Sequence, residues 1–338
     1  MKDLYNLHKF YNNGKSSKQL NNRRKSFGYQ VLGFGSGVAV AAVAGNDNGI
    51  FGFGDTGSST EVSMTNLVSN VGVVSTDVTG VGSVRASLGA TQYGEDKGIF
   101  AYGTTGGVTG KLSMSNLVSN SGVVASDVSG VGTARMTLGV CSFGGDQGIF
   151  AYGENNSEAM VSMSNKVSNV GVIAADVSGV GDARVRLAAC EYGGDKGIMS
   201  GGYGPGHEWD SRSNLVSNTG VIASDVSFSG TGRQGLGGCS YGGDKGIFAY
   251  GYRAGSPSNQ NMSNLVSNVG VIGSDVSGVG TARDGLAACE YGQDKGIFAY
   301  GGGGPVNMSN LVSNVGVVSA DVTGVGTARS EVGACSYN

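Results

Sequence analysis

The chain has 338 residues, with 39% apolar and 14% charged side chains, 64 glycines, only 3 prolines and a net charge of −3. Apolar content at that level with so little proline excludes a disordered or collagen-like chain, and glycine set between short apolar runs describes a short-turned all-β body. The only two histidines are His8 and His207, too few for a Ser/His/Asp triad or a paired-histidine zinc site, so no enzymatic role, metal or cofactor is expected.

Taken from the N-terminus, residues 1–37 carry Lys2, Lys9, Lys15, Lys18, Arg23, Arg24 and Lys25 against Asp3 alone, which leaves the remainder acidic. Residues 1–27 form a basic arm, and such an arm on an acidic body either engages an anionic or acidic partner or is a solvated tail. The candidate anchoring residues are Lys15, Lys18, Arg23, Arg24 and Lys25. Arg23-Arg24-Lys25 followed by a Gly/Val/Ala stretch ending at Ala42-Val43-Ala44 imitates an export signal. Residues 38–44 nevertheless lie in register with later strands, because Asp47 and Gly49 fall at the same offsets as Asp195 and Gly197. The stretch is also too short and glycine-rich for a transmembrane helix.

From Gly49 almost to Asn338 a unit recurs at a period of about 49 residues, the spacing of propeller blades and other arrays. Its fullest form reads LAACEYGGDKGIFAYG, then a variable insert, then MSNLVSNVGVIGSDVSGVGTAR. Apolar and polar residues alternate in short runs bounded by Gly, Asn, Asp and Ser, which predicts four antiparallel strands per unit. In the unit of residues 285–320 the strands are expected at 285–291, 296–300, 309–313 and 315–320, the first two joined by the Gly292-Gln293-Asp294-Lys295 turn. One such sheet cannot bury both faces, so the units must stack, and a ring needs no capping unit.

Small residues fill the first strand (Gly89-Ala90, Ala188-Ala189, Gly237-Gly238), which suits the innermost strand around a crowded axis. Cys141, Cys190, Cys239, Cys289 and Cys335 all occupy one position of that strand and are expected as buried packing thiols rather than disulfides or metal ligands. Repeated acids at 77, 127, 176, 225, 275 and 321 read as turn caps or inter-unit pairs with the repeated arginines. The second-strand pattern occurs six times, but the first-strand pattern occurs seven times, from 38–44 to 332–337. Seven blades are therefore expected over the alternative of six, with residues 29–34 lending an outer strand to a last blade built on 332–337. The repeat domain spans residues 28–338.

The unit resembles the kelch-type β-propellers, in which an arginine precedes a strand of small residues, a turn, and an apolar strand ending at glycines. The matching positions are Arg135, Arg184, Arg233, Arg283 and Arg329, with Ile-Phe-Ala-Tyr-Gly runs at 99–103, 149–153, 247–251 and 297–301. Trp209, the only tryptophan, lies in an insert and not in the last strand, where kelch repeats usually place one. The wording Asn-Leu-Val-Ser-Asn with Gly-Val-Gly-Thr-Ala-Arg also resembles repeat proteins of bacteriophage genomes, which implies a tail or head appendage.

Sequence variation between units concentrates in the insert between the second and third strands, which should emerge on the same face as the connections between units. Loops on a rigid scaffold are where recognition is usually placed. Tyr203, His207, Trp209, Tyr252 and Arg253 are the candidate ligand-binding residues, an aromatic and cationic set suited to sugar rings or an apolar surface. The resulting expectation is a non-enzymatic virion protein assembled in the host cytoplasm. Its arm would hold other virion proteins, and its variable face would meet a host receptor or glycan. The alternatives are a cellular kelch-like interaction scaffold and a lectin. A homo-oligomer is compatible with this reading, and membrane insertion is not expected.

Overall fold

The computed structural model describes residues 46–338 apart from Val108, His207, Glu208, Ser256 and Gly303. The arm with Lys15, Lys18, Arg23, Arg24 and Lys25, and the expected strands at 29–34 and 38–44, lie outside the described residues. Regular structure among the described residues is entirely β, with 21 strands and no helix.

Six small antiparallel sheets repeat one plan. The second sheet is Gly89–Tyr93, Lys97–Ala101 and Ser115–Val118; the third is Gly139–Phe143, Gln147–Ala151 and Ser164–Val167. The fourth is Ala188–Tyr192, Lys196–Ser200 and Arg212–Val216, extended by Val226–Ser227. The fifth is Gly237–Tyr241, Lys245–Ala249 and Ser263–Val266, and the sixth Ala287–Tyr291, Lys295–Ala299 and Ser309–Val312. In the first sheet Asn48–Gly52 pairs with Thr65–Val68 on one side and with Gly333–Tyr337 on the other.

That last pairing corrects the expected count. Residues 332–337 do not found a seventh unit; they complete the first sheet, with Ile50 opposite Cys335 and Asn48 opposite Tyr337. The edge of Asn48–Gly52 that the register assigned to 38–44 is thus already hydrogen-bonded, and the described residues form six sheets of this plan beside one two-stranded pair, Arg135–Met136 with Glu154–Asn155.

The expected fourth strand is also shortened. In most sheets it contributes only isolated bridges such as Ser309 with Val322 and Val312 with Val318. An asparagine of the third strand takes over part of its ladder: Asn310 Nδ2 donates to the Ser319 carbonyl at 3.1 Å and to Asp321 Oδ1 at 2.9 Å. Asn66, Asn116, Asn165, Asn214 and Asn264 repeat this geometry in the other five sheets.

Each sheet packs on the next, and the order closes. One apolar cluster joins Phe143 and Ile149 of the third sheet to Leu187 and Met199 of the fourth, while another joins Ile297 and Tyr291 of the sixth to Phe51 of the first. The hairpins linking first and second strands, with Asp47 and Asn338 standing in for the first sheet, form a cycle of backbone bonds. The N–H of Gly94 donates to the Asp146 carbonyl, Gly144 to Asp195, Gly193 to Asp244, Gly242 to Asp294, Gly292 to Asp47, and Asn338 back to Asp96, all at 2.7–3.0 Å. At the opposite end Ser87, Glu331, Gly285, Gly235, Arg186 and Thr137 close a second cycle, each N–H donating to the next carbonyl at 2.7–3.0 Å. All six residues there have φ between 53° and 62°. Left-handed backbone costs a non-glycine residue about 1–2 kcal/mol, and the shared hydrogen bond offsets it at Ser87, Thr137, Arg186 and Glu331.

A third cycle explains the cysteines. A Cβ on Gly246 would lie 2.4 Å from Cys190 Sγ of the preceding sheet, and one on Gly197 equally close to Cys141 Sγ. Glycine at the second-strand position lets the neighbouring sulfur approach. All five thiols are free and buried, and burial pushes the Cys335 thiol up to about 12.

Candidate functional site

The repeated arginine fixes where the inserts sit. Arg135, fully buried in the connection from the second to the third sheet, donates to Asn165 Oδ1 at 2.6 Å and lies 4.8 Å over the Tyr102 ring of the second sheet. Its Nη1 also reaches Asp176 Oδ1 at 3.4 Å. Thr133, two residues earlier, donates to the same carboxylate through N–H and hydroxyl. The repeated acids are therefore structural. Burial lowers the Arg135 pKa, with Tyr102 and Asp176 opposing. The connection pinned in this way pairs with the insert: Ala86 bridges Thr104, Val185 bridges Tyr203, and Gln234 bridges Tyr252. Inserts and connections thus emerge together, at the same end of the sheets.

The structure brings Tyr203 and Trp209 together within the fourth insert, as bridge partners with ring centroids 6.1 Å apart at 64°. Both are half-buried, and the Trp209 indole N–H is enclosed without an acceptor. Asp210 beside it holds Arg212 through the backbone N–H at 2.7 Å and through Nε and Nη2. Tyr252 and Arg253 stand on the fifth sheet's insert, where Tyr252 bridges Gln234 and Asn259 and Arg253 is exposed. His207 is outside the described residues.

Sequence reasoning missed a second feature, at the hairpin end. The first strands of all six sheets line a central cavity, and one register position supplies Gln92, Ser142, Glu191, Ser240, Glu290 and Ser336 to it. At the hairpin end this cavity opens to a volume of about 510 Å³, bordered by Asn46, Glu95, Asp146 and the hairpin glycines.

Four of the six polar side chains have protein partners, and Ser240 and Glu290 have none among the described residues. Gln92 Oε1 accepts from Asn46 Nδ2 at 2.6 Å, Ser142 Oγ donates to Glu191 Oε2, and Ser336 Oγ bonds the backbone of Glu290 at 2.9 Å in both directions. Burial raises the Glu191 carboxyl, against the hydrogen bonds from Ser142 and Gln92. Glu290 is pushed well above the usual carboxylate range by burial, then by Glu191 and Asp294. The signal available in the sequence was a glutamate in the Cys-Glu-Tyr run of a strand otherwise made of small residues.

The chain matches no protein-family model and no curated protein. Among the described residues no three His, Cys, Asp or Glu side chains cluster as a metal site.

Proposed function

We propose that the chain is a six-bladed, kelch-like β-propeller serving as a non-enzymatic appendage or decoration protein of a phage particle. In this reading the basic N-terminal arm is the anchor, and the insert end is displayed toward a host receptor or glycan. The observation that carries it is the contrast between frame and inserts. The hairpin glycines and aspartates, the buried arginines and their asparagine partners recur almost unchanged from sheet to sheet, while the inserts differ in length and chemistry, with Tyr203 and Trp209 paired in the fourth. The supply of only two histidines supports a binding role over catalysis. The phage-like wording of the repeat supports the particle as its setting, and several copies on one particle would add avidity to a weak contact.

Mass spectrometry of purified particles tests the setting, with the chain expected in stoichiometric amounts; its absence from them would sink the appendage reading. Binding of the labelled chain to host cells tests recognition. The double variant Tyr203→Ala/Trp209→Ala should keep the β far-ultraviolet spectrum and lose cell binding, and undiminished binding would remove these residues from the recognition surface.

A further inference from the structure

The six positions of the polar register are unequal. On one arc Ser336, Gln92 and Ser142 each have a protein partner. On the other arc Glu191, which already accepts from Ser142, stands with Ser240 and Glu290 on three successive first strands, and all three face the cavity. The two hydrogen bonds of Glu290 run through its backbone, and among the described residues neither its carboxylate nor the Ser240 hydroxyl has a partner. Glu290 is 9% exposed, so this is a carboxylate about nine-tenths withdrawn from water without a donor or counter-charge. A buried charge left so is costly unless it is paired or coordinates a metal.

Among the described residues no cationic side chain borders the opening: the lysines of the hairpins, Lys196, Lys245 and Lys295, are paired with Asp195, Asp244 and Asp294 beside them. None of the described residues supplies the counter-charge, so an ionised Glu290 calls for a cation, and without one the group keeps its proton. Every donor on the open arc is an oxygen, which suits a hard cation rather than zinc or copper. The opening of about 510 Å³ leaves room for retained waters, each needing roughly 30 Å³. An organic ammonium would be favoured by aromatic walls, and none line this end.

We propose that the hairpin end of the central cavity binds a hydrated divalent cation of the calcium class through Glu290, Glu191 and Ser240. The inference does not rest on the anchoring and recognition roles above, and the site lies at the end of the sheets away from the inserts.

The purified full chain, stripped with chelator, tests this directly. Added calcium chloride should raise the thermal midpoint in proportion to the logarithm of its concentration, and terbium should show luminescence sensitised by the adjacent Tyr192, Tyr241 and Tyr291. Glu290→Gln should abolish both responses. That variant is expected to fold, because Gln92 already occupies the same register position in the second sheet. No calcium response in the parent chain, or an equal response in Glu290→Gln, would overturn the proposal. Stabilisation by spermidine but not by calcium would overturn the metal assignment in favour of an organic cation.

Discussion

Asn165→Ala probes how much of the frame depends on the buried arginines. The side chain accepts from Arg135 Nη2 at 2.6 Å and donates to the Ala174 carbonyl and to Asp176 Oδ1, each at 2.9 Å, with no exposure to solvent. Two of these bonds involve a charged partner, worth about 1.5–3 kcal/mol each, and the third about 1 kcal/mol. The loss should therefore be about 4 kcal/mol, near the upper limit for one substitution. The fifth sheet supplies an internal control. Arg233 donates through Nε to the Tyr250 carbonyl and through Nη1 to the Thr231 carbonyl, which leaves Nη2 without a partner, so Asn264 keeps only its bonds to Gly273 and Asp275. Asn264→Ala then forfeits one charge-assisted bond fewer and should cost about 2 kcal/mol less, a difference of roughly 3 °C in thermal midpoint. Calorimetry on both variants, with far-ultraviolet spectra to establish folding, reads the difference. Equal midpoints would refute the assignment of the extra stability to the Arg135–Asn165 bond.

Two further outcomes are expected. Gly246→Ala should destabilise by about 1–3 kcal/mol through overpacking against Cys190 Sγ, and Cys190→Ala should relieve part of that cost in a double-mutant cycle read by urea unfolding; additive costs would show that the two do not meet. Glu290 holds its proton more tightly folded than unfolded, since burial, Glu191 and Asp294 raise it from 4.5. Its contribution is full below that unfolded value and is lost as pH climbs toward the folded one, so in chelator Glu290→Gln should gain stability over the parent chain with rising pH, and parallel profiles would contradict the burial.

The strand plan was legible because alternation and turn residues are local. Expected strands at 285–291, 296–300 and 309–313 appear as Ala287–Tyr291, Lys295–Ala299 and Ser309–Val312. The number of sheets was not legible, because the pattern at 332–337 is the same whether it founds a unit or completes one, and only its pairing with Asn48–Gly52 decides. Alternation also promises burial to Val73, Val172, Val271 and Val317, which are 61–64% exposed where asparagine side chains replace the outer ladder. The polar register was hidden because its members are about fifty residues apart in sequence and differ in kind. In the fourth unit the sequence shows two departures, Gly201 for the usual tyrosine and Phe228 for a glycine. They border one small cavity with Arg233, so the aromatic lost from one strand end is replaced from the connection.

The pairing of residue 48 with residue 337 sets a timetable for the ribosome. The first sheet to be synthesised keeps one edge of Asn48–Gly52 open until the last strand has left the exit tunnel, so a nascent chain carries a bare β-edge through nearly the whole of translation. Closure depends on strands nearly three hundred residues apart in sequence, and contacts of that separation form slowly. A chain cut before Gly333 would keep five finished sheets and one unguarded edge, a species made for pairing with its own copies.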